Sequence, residues 1–178
     1  MMKYFKKLVG ENVYLSPMNP EDYEIYTKWL NDANITKYLS IHNHMVSLFG
    51  EKEYLEKMSK EDAHFSIIKC ENDELMGSIA FDIVDYKNGC ATLGIFIGNE
   101  ENLSKGYGSE AIKLLLDFGF NELRLHNVML TVHADNPRAI KCYEKCGFKE
   151  IGRRHECLYR DGKYVDLIYM EIINKKTS

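Results

Sequence analysis

The sequence lacks the long apolar segment that a membrane-spanning helix requires. No stretch of its 178 residues approaches the roughly 20 apolar residues that cross a bilayer, and residues 1–7 contain no apolar run like that of a secretory signal. We therefore expect a cytoplasmic protein with no membrane partner. Prolines number only three, and no repeat, low-complexity tract or Pro/Gly/Ser-rich linker divides the chain, so we expect one domain over residues 1–178.

Closely spaced cysteine pairs of the kind found in zinc and redox motifs are also missing. The five cysteines are an odd number, and none is separated from another by only two residues: Cys70, Cys90, Cys142, Cys146 and Cys157. We expect them to be reduced. Cys142 and Cys146 are one helical turn apart and leave open a metal site with His133 or His155, but no tetrahedral ligand set is visible. We expect no metal.

The chain has no excess of positive charge. It carries 23 Lys and Arg residues against 27 Asp and Glu residues, which gives a formal net charge of −4. Proteins that bind the phosphate backbone are usually basic, so we expect no nucleic-acid partner. A modest negative charge is only weak support for a cationic substrate.

The patterns that are present alternate between strands and helices, and 45% apolar residues are enough for a substantial core. Strands are predicted at 13–15, 63–69, 75–83, 91–97, 128–133, 149–155 and 164–173. Helices are predicted from about 21, at 51–60, at 106–122 and from 137 to a stop at Gly147. This order predicts an α/β fold with a mixed, mostly antiparallel central sheet of about seven strands, flanked by about four helices.

A glycine-containing turn, residues 103–109, follows one predicted strand and opens a predicted helix. At a helix start several backbone N–H groups lack intrahelical partners and the helix dipole is positive, which suits a phosphate group. Gly106 and Gly108 let the backbone approach such a group closely. An ordinary strand-to-helix turn would give the same short pattern, and no Gly-Lys-Ser/Thr closes it as in a P-loop.

A second motif begins where Asn136 and Pro137 give a strong helix start, and it ends in Ala-x-x-x-Tyr-x-Lys-x-Gly-Phe, residues 139–148. Together the two segments resemble the GNAT superfamily of N-acetyltransferases. Residues 29–32, 152–156 and 161–166 with Met170 are similar to the ribosomal-protein-alanine N-acetyltransferase branch and its polyamine-acetylating relatives. The resemblance covers nearly the whole chain.

The resemblance implies the GNAT fold, acetyl-CoA as cosubstrate and a set of residues that contact it. The loop from Leu103 to Ser109 would surround the pyrophosphate, the end of the strand at 95–97 would bond the pantetheine arm, and Tyr143 would lie near the thioester sulfur. The expected coenzyme A contacts are Ile95, Phe96, Ile97, Leu103, Ser104, Lys105, Gly106, Tyr107, Gly108, Ser109, Asn136 and Tyr143.

The chain departs from the family pattern at three positions. Leu103 replaces an expected Arg or Gln, Ser104 replaces a frequent glycine, and no acidic residue occurs near Thr92. Coenzyme A binding would then depend more on main-chain donors, and the general base is unassigned. Its candidates include Glu110, Glu156 and His133, while His42 and His44 fall in a predicted acceptor-side loop.

Tyr143 is the expected catalytic residue, because a phenol is a reasonable acid for a departing thiolate. Without the motif, the simplest interpretation of Tyr143 is an aromatic side chain of the helix that packs on the sheet. The corresponding interpretation of Asn136 is an N-cap without a ligand. We expect an N-acetyltransferase that acts on a primary amine, first of all a protein or peptide N-terminus. A polyamine or antibiotic acetyltransferase, or a non-catalytic acyl-CoA sensor, is the alternative. A homodimer is possible, since the strand at 164–173 is apolar enough to need covering.

Overall fold

The computed structural model describes residues 3–175, which form eight strands and five α-helices. The strands are β1 (Leu8–Val9), β2 (Val13–Pro17), β3 (His64–Lys69), β4 (Leu75–Asp85), β5 (Cys90–Ile97), β6 (Asn127–His133), β7 (Lys149–Arg160) and β8 (Lys163–Ile173). The helices are α1 (Tyr23–Leu30), α2 (Ala33–Thr36), α3 (Leu48–Met58), α4 (Tyr107–Asn121) and α5 (Pro137–Lys145). Two short 3₁₀ helices, Pro20–Asp22 and Glu100–Asn102, precede α1 and α4.

The strands form one sheet in the order β1-β2-β3-β4-β5-β6-β8-β7. Of the strand pairs whose register is described, β5 with β6 is parallel and the others are antiparallel. This confirms the predicted fold class, a mixed and mostly antiparallel sheet with helices.

Two short elements escaped the sequence-based prediction. β1 has two residues, and it exists as a strand because Leu8 pairs with Leu15 and Val9 with Tyr14. α2 has four residues, and its N-cap is Asp32, whose side chain accepts a hydrogen bond from the Asn34 N–H. Neither element is long enough to show a hydrophobic period.

The chain contacts divide into two compact units, and β4, β5 and α4 each contribute to both. The first unit comprises the described residues up to Ala80 together with Ile95–Leu115. One cluster of its buried apolar side chains contains residues of β2, β3, α1 and α3. They include Tyr14, Tyr26, Leu55, Met58 and Ile68.

The second unit comprises Phe81–Gly94 and the described residues from Leu116 onward. Its buried side chains include Phe81, Leu125, Leu130 and Met170. Gly119 of α4 allows Phe81 to pack closely, because a Cβ at position 119 would lie 2.7 Å from the Phe81 Cζ atom.

The β7–β8 hairpin is longer than predicted, and it places β8 inside the sheet. β7 runs to Arg160, well beyond the predicted end at 155, and the turn at Asp161 and Gly162 has φ values of 50° and 79°, as type I′ hairpins require. The apolar strand β8 is not at the edge of the sheet, because it pairs with β6 on one side and β7 on the other. β7 therefore covers this side of β8 within the same chain.

No helix within residues 3–175 is both long enough and apolar enough to cross a membrane.

Candidate active site

The predicted phosphate-binding loop lies in the first unit, between the second 3₁₀ helix and α4. Ser104 and Gly106 both adopt positive φ values, 62° and 90°. The Leu103 N–H still donates to the Glu100 carbonyl at 3.0 Å, so the chain changes direction immediately after this residue. Ser104 stands where glycine is frequent in the family, and it takes the backbone conformation that glycine adopts most readily.

The loop presents main-chain donors. Across the described part of the chain, the N–H groups of Ser104, Lys105 and Gly106 have no hydrogen-bond partner. The first intrahelical bond of α4 runs from the Glu110 N–H to the Gly106 carbonyl at 3.0 Å. These donors therefore lie at the positive end of the α4 dipole, an arrangement that binds anions.

The space beside the loop is open. A Cβ added at Gly106 would meet no atom within 4 Å, and one added at Gly108 would meet only the Ile95 Cδ1 atom, at 3.8 Å. The end of β5 therefore lies beside the first turn of α4. The loop and residues 95–97, which the sequence analysis assigned to one ligand, come together in this unit.

The carboxylate of Glu110, a candidate general base, is hydrogen-bonded to two residues that precede β3 in the sequence. Its carboxylate accepts hydrogen bonds from the Asn12 N–H at 2.8 Å, the Asn12 side-chain amide at 3.0 Å and the Val13 N–H at 3.3 Å. Burial raises the pKa of the Glu110 carboxyl, but the hydrogen bonds from Asn12 and Val13 outweigh it and hold the pKa below its ordinary value. A carboxylate stabilised in this way is a poor base.

The end of β5 packs on aromatic side chains of α1. The Phe96 ring lies 5.8 Å from Trp29 and 6.4 Å from Tyr26, measured between ring centroids. The Tyr26 hydroxyl donates to the Gly77 carbonyl at 3.1 Å. Trp29 also covers Gly98, where a Cβ would collide with the indole ring. This packing fixes the backbone of β5 near Phe96.

The parallel pairing of β5 with β6 is short. It comprises Cys90 with Asn127, Ala91 with Val128 and Thr92 with Met129. β5 continues to Ile97 and β6 to His133, yet no further pair between them occurs among the described residues.

Asn136 and Tyr143 lie in the second unit, at the start and in the body of α5. The Asn136 Oδ1 atom accepts from the Ala139 N–H at 3.2 Å, so Asn136 is the N-cap that its sequence context predicted. Asn136 is only 7% exposed, and its side-chain NH₂ group has no partner between residues 3 and 175. The cap role therefore leaves this donor available.

The Tyr143 side chain is partly buried, and its ring lies edge-on to Phe148 with 6.1 Å between centroids. Its hydroxyl makes no hydrogen bond to any described residue. Burial, followed by the nearby Cys142 and Cys146, raises the pKa of the Tyr143 hydroxyl above its ordinary value. The phenol is therefore protonated throughout the neutral pH range.

The remaining candidates are engaged in local contacts. The His133 Nδ1 atom lies 3.0 Å from an Arg160 guanidinium nitrogen, and burial and Arg160 lower the pKa of the His133 ring while Asp135 opposes them. In the predicted acceptor-side loop, the His42 Nδ1 atom lies 3.2 Å from the Thr36 hydroxyl, and His44 is exposed. The Glu156 side chain is exposed.

No group of three or more His, Cys, Asp or Glu side chains in residues 3–175 is arranged to hold a metal ion. All five cysteines are free thiols.

The sequence and the structure both match known acetyltransferases. The family described as Acetyltransferase (GNAT) domain matches residues 12–149. The chain belongs to the GNAT family. The resemblance that the two motifs indicated is thereby confirmed, and this GNAT chain is an N-acetyltransferase.

Individual known proteins match more than nine-tenths of this chain. Among curated sequences, an uncharacterized N-acetyltransferase p20 from Bacillus licheniformis is 26% identical over 177 residues, which is 95% of this chain and 97% of that protein. Among solved structures, spermidine N-acetyltransferase from Vibrio cholerae, in complex with CoA and spermine, is 27% identical with a TM-score of 0.82, covering 94% of this chain and 98% of that one.

A more distant structural neighbour is RimL, a ribosomal L7/L12 alpha-N-protein acetyltransferase in complex with coenzyme A. It is 15% identical with a TM-score of 0.80, covering 93% of this chain and 96% of that one. At this identity the likeness is one of fold alone.

Proposed function

We propose that this GNAT chain transfers an acetyl group from acetyl-CoA to a primary amine. The observation that carries the proposal is the set of main-chain donors at Ser104, Lys105 and Gly106, which have no partner within residues 3–175 and lie at the N-terminus of α4. Neutralising a pyrophosphate with main-chain donors and a helix dipole requires neither an Arg nor a P-loop lysine. The replacement of the family's Arg or Gln by Leu103 is compatible with such a site.

Each unit contributes groups that suit a part of coenzyme A. The open space at Gly106 admits phosphate oxygens, and the exposed Lys105 adds a positive charge beside them. Main-chain groups at Ile95, Phe96 and Ile97 lie beyond the last residue of β5 that pairs with β6, so they can bond an extended pantetheine arm. The free NH₂ group of Asn136 is a further donor for an amide carbonyl.

The reaction makes three demands on the protein. The neutral amine nitrogen attacks the thioester carbonyl carbon, the carbon–sulfur bond breaks, and the sulfur leaves as a thiolate that must accept a proton. The nitrogen becomes positively charged on attack and releases one proton to solvent, from which the proton donor is restored after each turnover. In our proposal the Phe96 N–H stabilises the charge that develops on the carbonyl oxygen, and Tyr143 gives its proton to the sulfur. Because its pKa is raised by burial, Tyr143 holds this proton throughout the neutral pH range.

For the acceptor, we propose a small polyamine ahead of a protein N-terminus. The spermidine N-acetyltransferase is 27% identical, whereas RimL is 15% identical, so the nearer relative acts on a small cationic amine. The formal net charge of −4 is compatible with a cationic acceptor. A protein or peptide terminus remains the second candidate, favoured by the tail motif at residues 152–166.

The test is release of free thiol from acetyl-CoA in the presence of spermidine, of peptides that begin with Ala or Ser, and of an aminoglycoside. We expect turnover with spermidine and a loss of turnover in the Tyr143→Phe variant. Tight acetyl-CoA binding without thiol release from any amine would instead support a non-catalytic acyl-CoA sensor.

We further propose that residues 1–178 form one N-acetyltransferase domain, because the family match at 12–149 runs through both compact units. Five free thiols are compatible with a cytoplasmic location, which we also propose. A possible homodimer is to be tested by light scattering at several protein concentrations.

A further inference from the structure

Arg160, the last residue of β7, is buried although it directly precedes an exposed hairpin turn. Only 8% of its surface is exposed, which is unusual for arginine. One guanidinium nitrogen donates to the His133 Nδ1 atom at 3.0 Å, and another donates to the Asp135 carboxylate. The side chain is thus directed into the second unit, toward the end of β6.

Both partners of Arg160 belong to residues 133–136, the turn that runs from the last residue of β6 to the N-cap of α5. The same turn is held at its centre, where the Ala134 N–H donates to the Asp166 carbonyl at 2.9 Å. At its end Asn136 caps α5, which places the side chain of Asn136 and the start of the helix in one rigid arrangement. The β7–β8 hairpin therefore fixes this turn through one main-chain bond and one buried side chain.

The planar guanidinium suits this task because it donates in two directions from one rigid group. Its charge is permanent, so His133 must accept at Nδ1 and carry its ring proton at Nε2. Asp135 compensates the buried charge. A lysine at position 160 would keep the charge but has no planar fork with which to contact both partners.

We propose that Arg160 is a positioning residue for the acetyl transfer, which holds the 133–136 turn and thereby sets the orientation of α5 and of Tyr143. The inference rests on the proposed function, in which Tyr143 donates the proton. Arg160 acts through the turn and the helix, and it need not touch either substrate. A residue that looks like part of an exposed turn in the sequence is in this way coupled to the chemistry.

The first measurement is hydrogen exchange at the backbone amides of Ala139 and Ile140, which bond to the side chain and the carbonyl of Asn136. We expect Arg160→Met to speed their exchange at least tenfold, and Arg160→Lys to speed it less. The matched control is Arg153→Met. Arg153 lies on the same strand but is exposed and bonds only locally, to Glu150 at 2.7 Å, so exchange in α5 should be unchanged. Unchanged exchange in Arg160→Met would overturn the proposal.

The second measurement is steady-state kinetics in two backgrounds. We expect Arg160→Met to lower kcat by about 10- to 100-fold, because misplacing a catalytic group by about 1 Å has an effect of that order. The KM for acetyl-CoA should rise less, by no more than about fivefold, because Asn136 of the same segment supplies only one of the proposed coenzyme A contacts. In the Tyr143→Phe background the same substitution should lower kcat less than threefold. An equal loss in both backgrounds would show that Arg160 does not act through Tyr143.

The two proposals fail in different ways. If Tyr143→Phe alone retains full turnover, the proposed role of Tyr143 is wrong and the positioning role of Arg160 falls with it. If Tyr143→Phe is inactive but exchange in α5 does not respond to Arg160→Met, only the inference on Arg160 is overturned. Arg160→Lys keeps the test usable should the methionine variant fold poorly, since it retains the buried charge.

Discussion

The Glu110 carboxylate, in the first turn of α4, accepts a hydrogen bond from the Asn12 backbone N–H, 98 residues earlier in the chain, at 2.8 Å. Two further donors, from the Asn12 side chain and the Val13 N–H, complete the contact. Glu110 directly follows the loop at residues 103–109, which we propose to bind phosphate, so this contact anchors the helix start that presents the loop's donors.

Glu110→Gln should therefore destabilise the fold in a pH-dependent way. The pKa of the Glu110 carboxyl lies below its ordinary value of 4.5, so its contribution is complete above that pH and is lost as pH falls through the folded-state pKa. We expect the variant to be about 1–3 kcal/mol less stable at pH 7, as for hydrogen bonds to a charged group, and the difference to shrink as pH falls below 4.5 and through the folded-state pKa. Urea unfolding at several pH values measures this.

The control for that experiment is Glu122→Gln, which changes an exposed carboxylate just beyond the end of α4. A stability loss at pH 7 that persists unchanged at pH 3 would contradict the role given to Glu110.

Two substitutions in the phosphate-binding loop should have opposite effects. Gly106→Ala places a side chain at a φ of 90°, which costs about 1–2 kcal/mol, so the unliganded loop should move to another conformation. We expect the Kd for acetyl-CoA to rise about 5- to 30-fold. Ser104→Gly relieves the same kind of strain at a φ of 62°, and it should bind acetyl-CoA as tightly as the native chain or up to about fivefold more tightly.

Isothermal titration calorimetry with acetyl-CoA distinguishes the two variants, and Gly152→Ala is the control, since a Cβ at position 152 would meet nothing within 4 Å and its φ is not positive. Equal affinity of Gly106→Ala and the native chain would show that the left-handed conformation is not needed for binding.

Glu51, in the first turn of α3, is predicted to limit stability at alkaline pH. It is 4% exposed, its Oε1 atom has no partner among residues 3–175, and burial raises the pKa of its carboxyl to about 7. The unfolded chain releases this proton near pH 4.5 and the folded chain near pH 7, so stability falls as pH rises through that interval.

Glu51→Gln, which stays uncharged, should be about 1–3 kcal/mol more stable than the native chain at pH 8 and no more stable at pH 4. Thermal or urea unfolding at both pH values provides the measurement, and the exposed Glu53 of the same helix, changed to Gln, provides the comparison. If the difference in free energy of unfolding between Glu51→Gln and the native chain is the same at pH 4 and pH 8, this prediction is wrong.

Tyr143→Phe should lower kcat by roughly 10² to 10⁴, the range for loss of a general acid, while acetyl-CoA affinity stays nearly unchanged. Because the pKa of the Tyr143 hydroxyl is raised, we also expect no loss of native kcat from ionisation of this residue up to pH 10. Steady-state rates between pH 6 and pH 10 test both points. Tyr86→Phe, at an exposed tyrosine, should behave as the native enzyme, and a Tyr143→Phe variant that does the same would remove Tyr143 from the mechanism.

Several features could be predicted because their signals are local in the sequence. Asn136 followed by Pro137 predicts the start of α5. In the structure Asn136 is the N-cap, and its side chain accepts a hydrogen bond from the Ala139 N–H. Gly147 was expected to end that helix, and it adopts a φ of 98° one residue after Cys146, the C-cap. Each of these features depends on groups a few residues apart, so side-chain type and spacing were sufficient.

Other features had no such signal. β1 is a strand only because of its pairing with β2, and Glu110 is anchored only because Asn12 reaches it. No local pattern indicates that Arg160, beside an Asp-Gly turn, or Glu51, in the first turn of a helix, is buried.

The sequence by itself determined the succession of the longer helices and strands, the helix start at 137, the start of α4 to within one residue, and the family to which the chain belongs. Periodicity, capping and motif spacing depend on residues that are close together in the sequence. Only the tertiary structure decided that β8 lies inside the sheet, that Glu110 anchors α4 and that Arg160 holds the turn before Tyr143. Burial and hydrogen bonding depend on groups that are distant along the chain, and they exist only once the chain has folded.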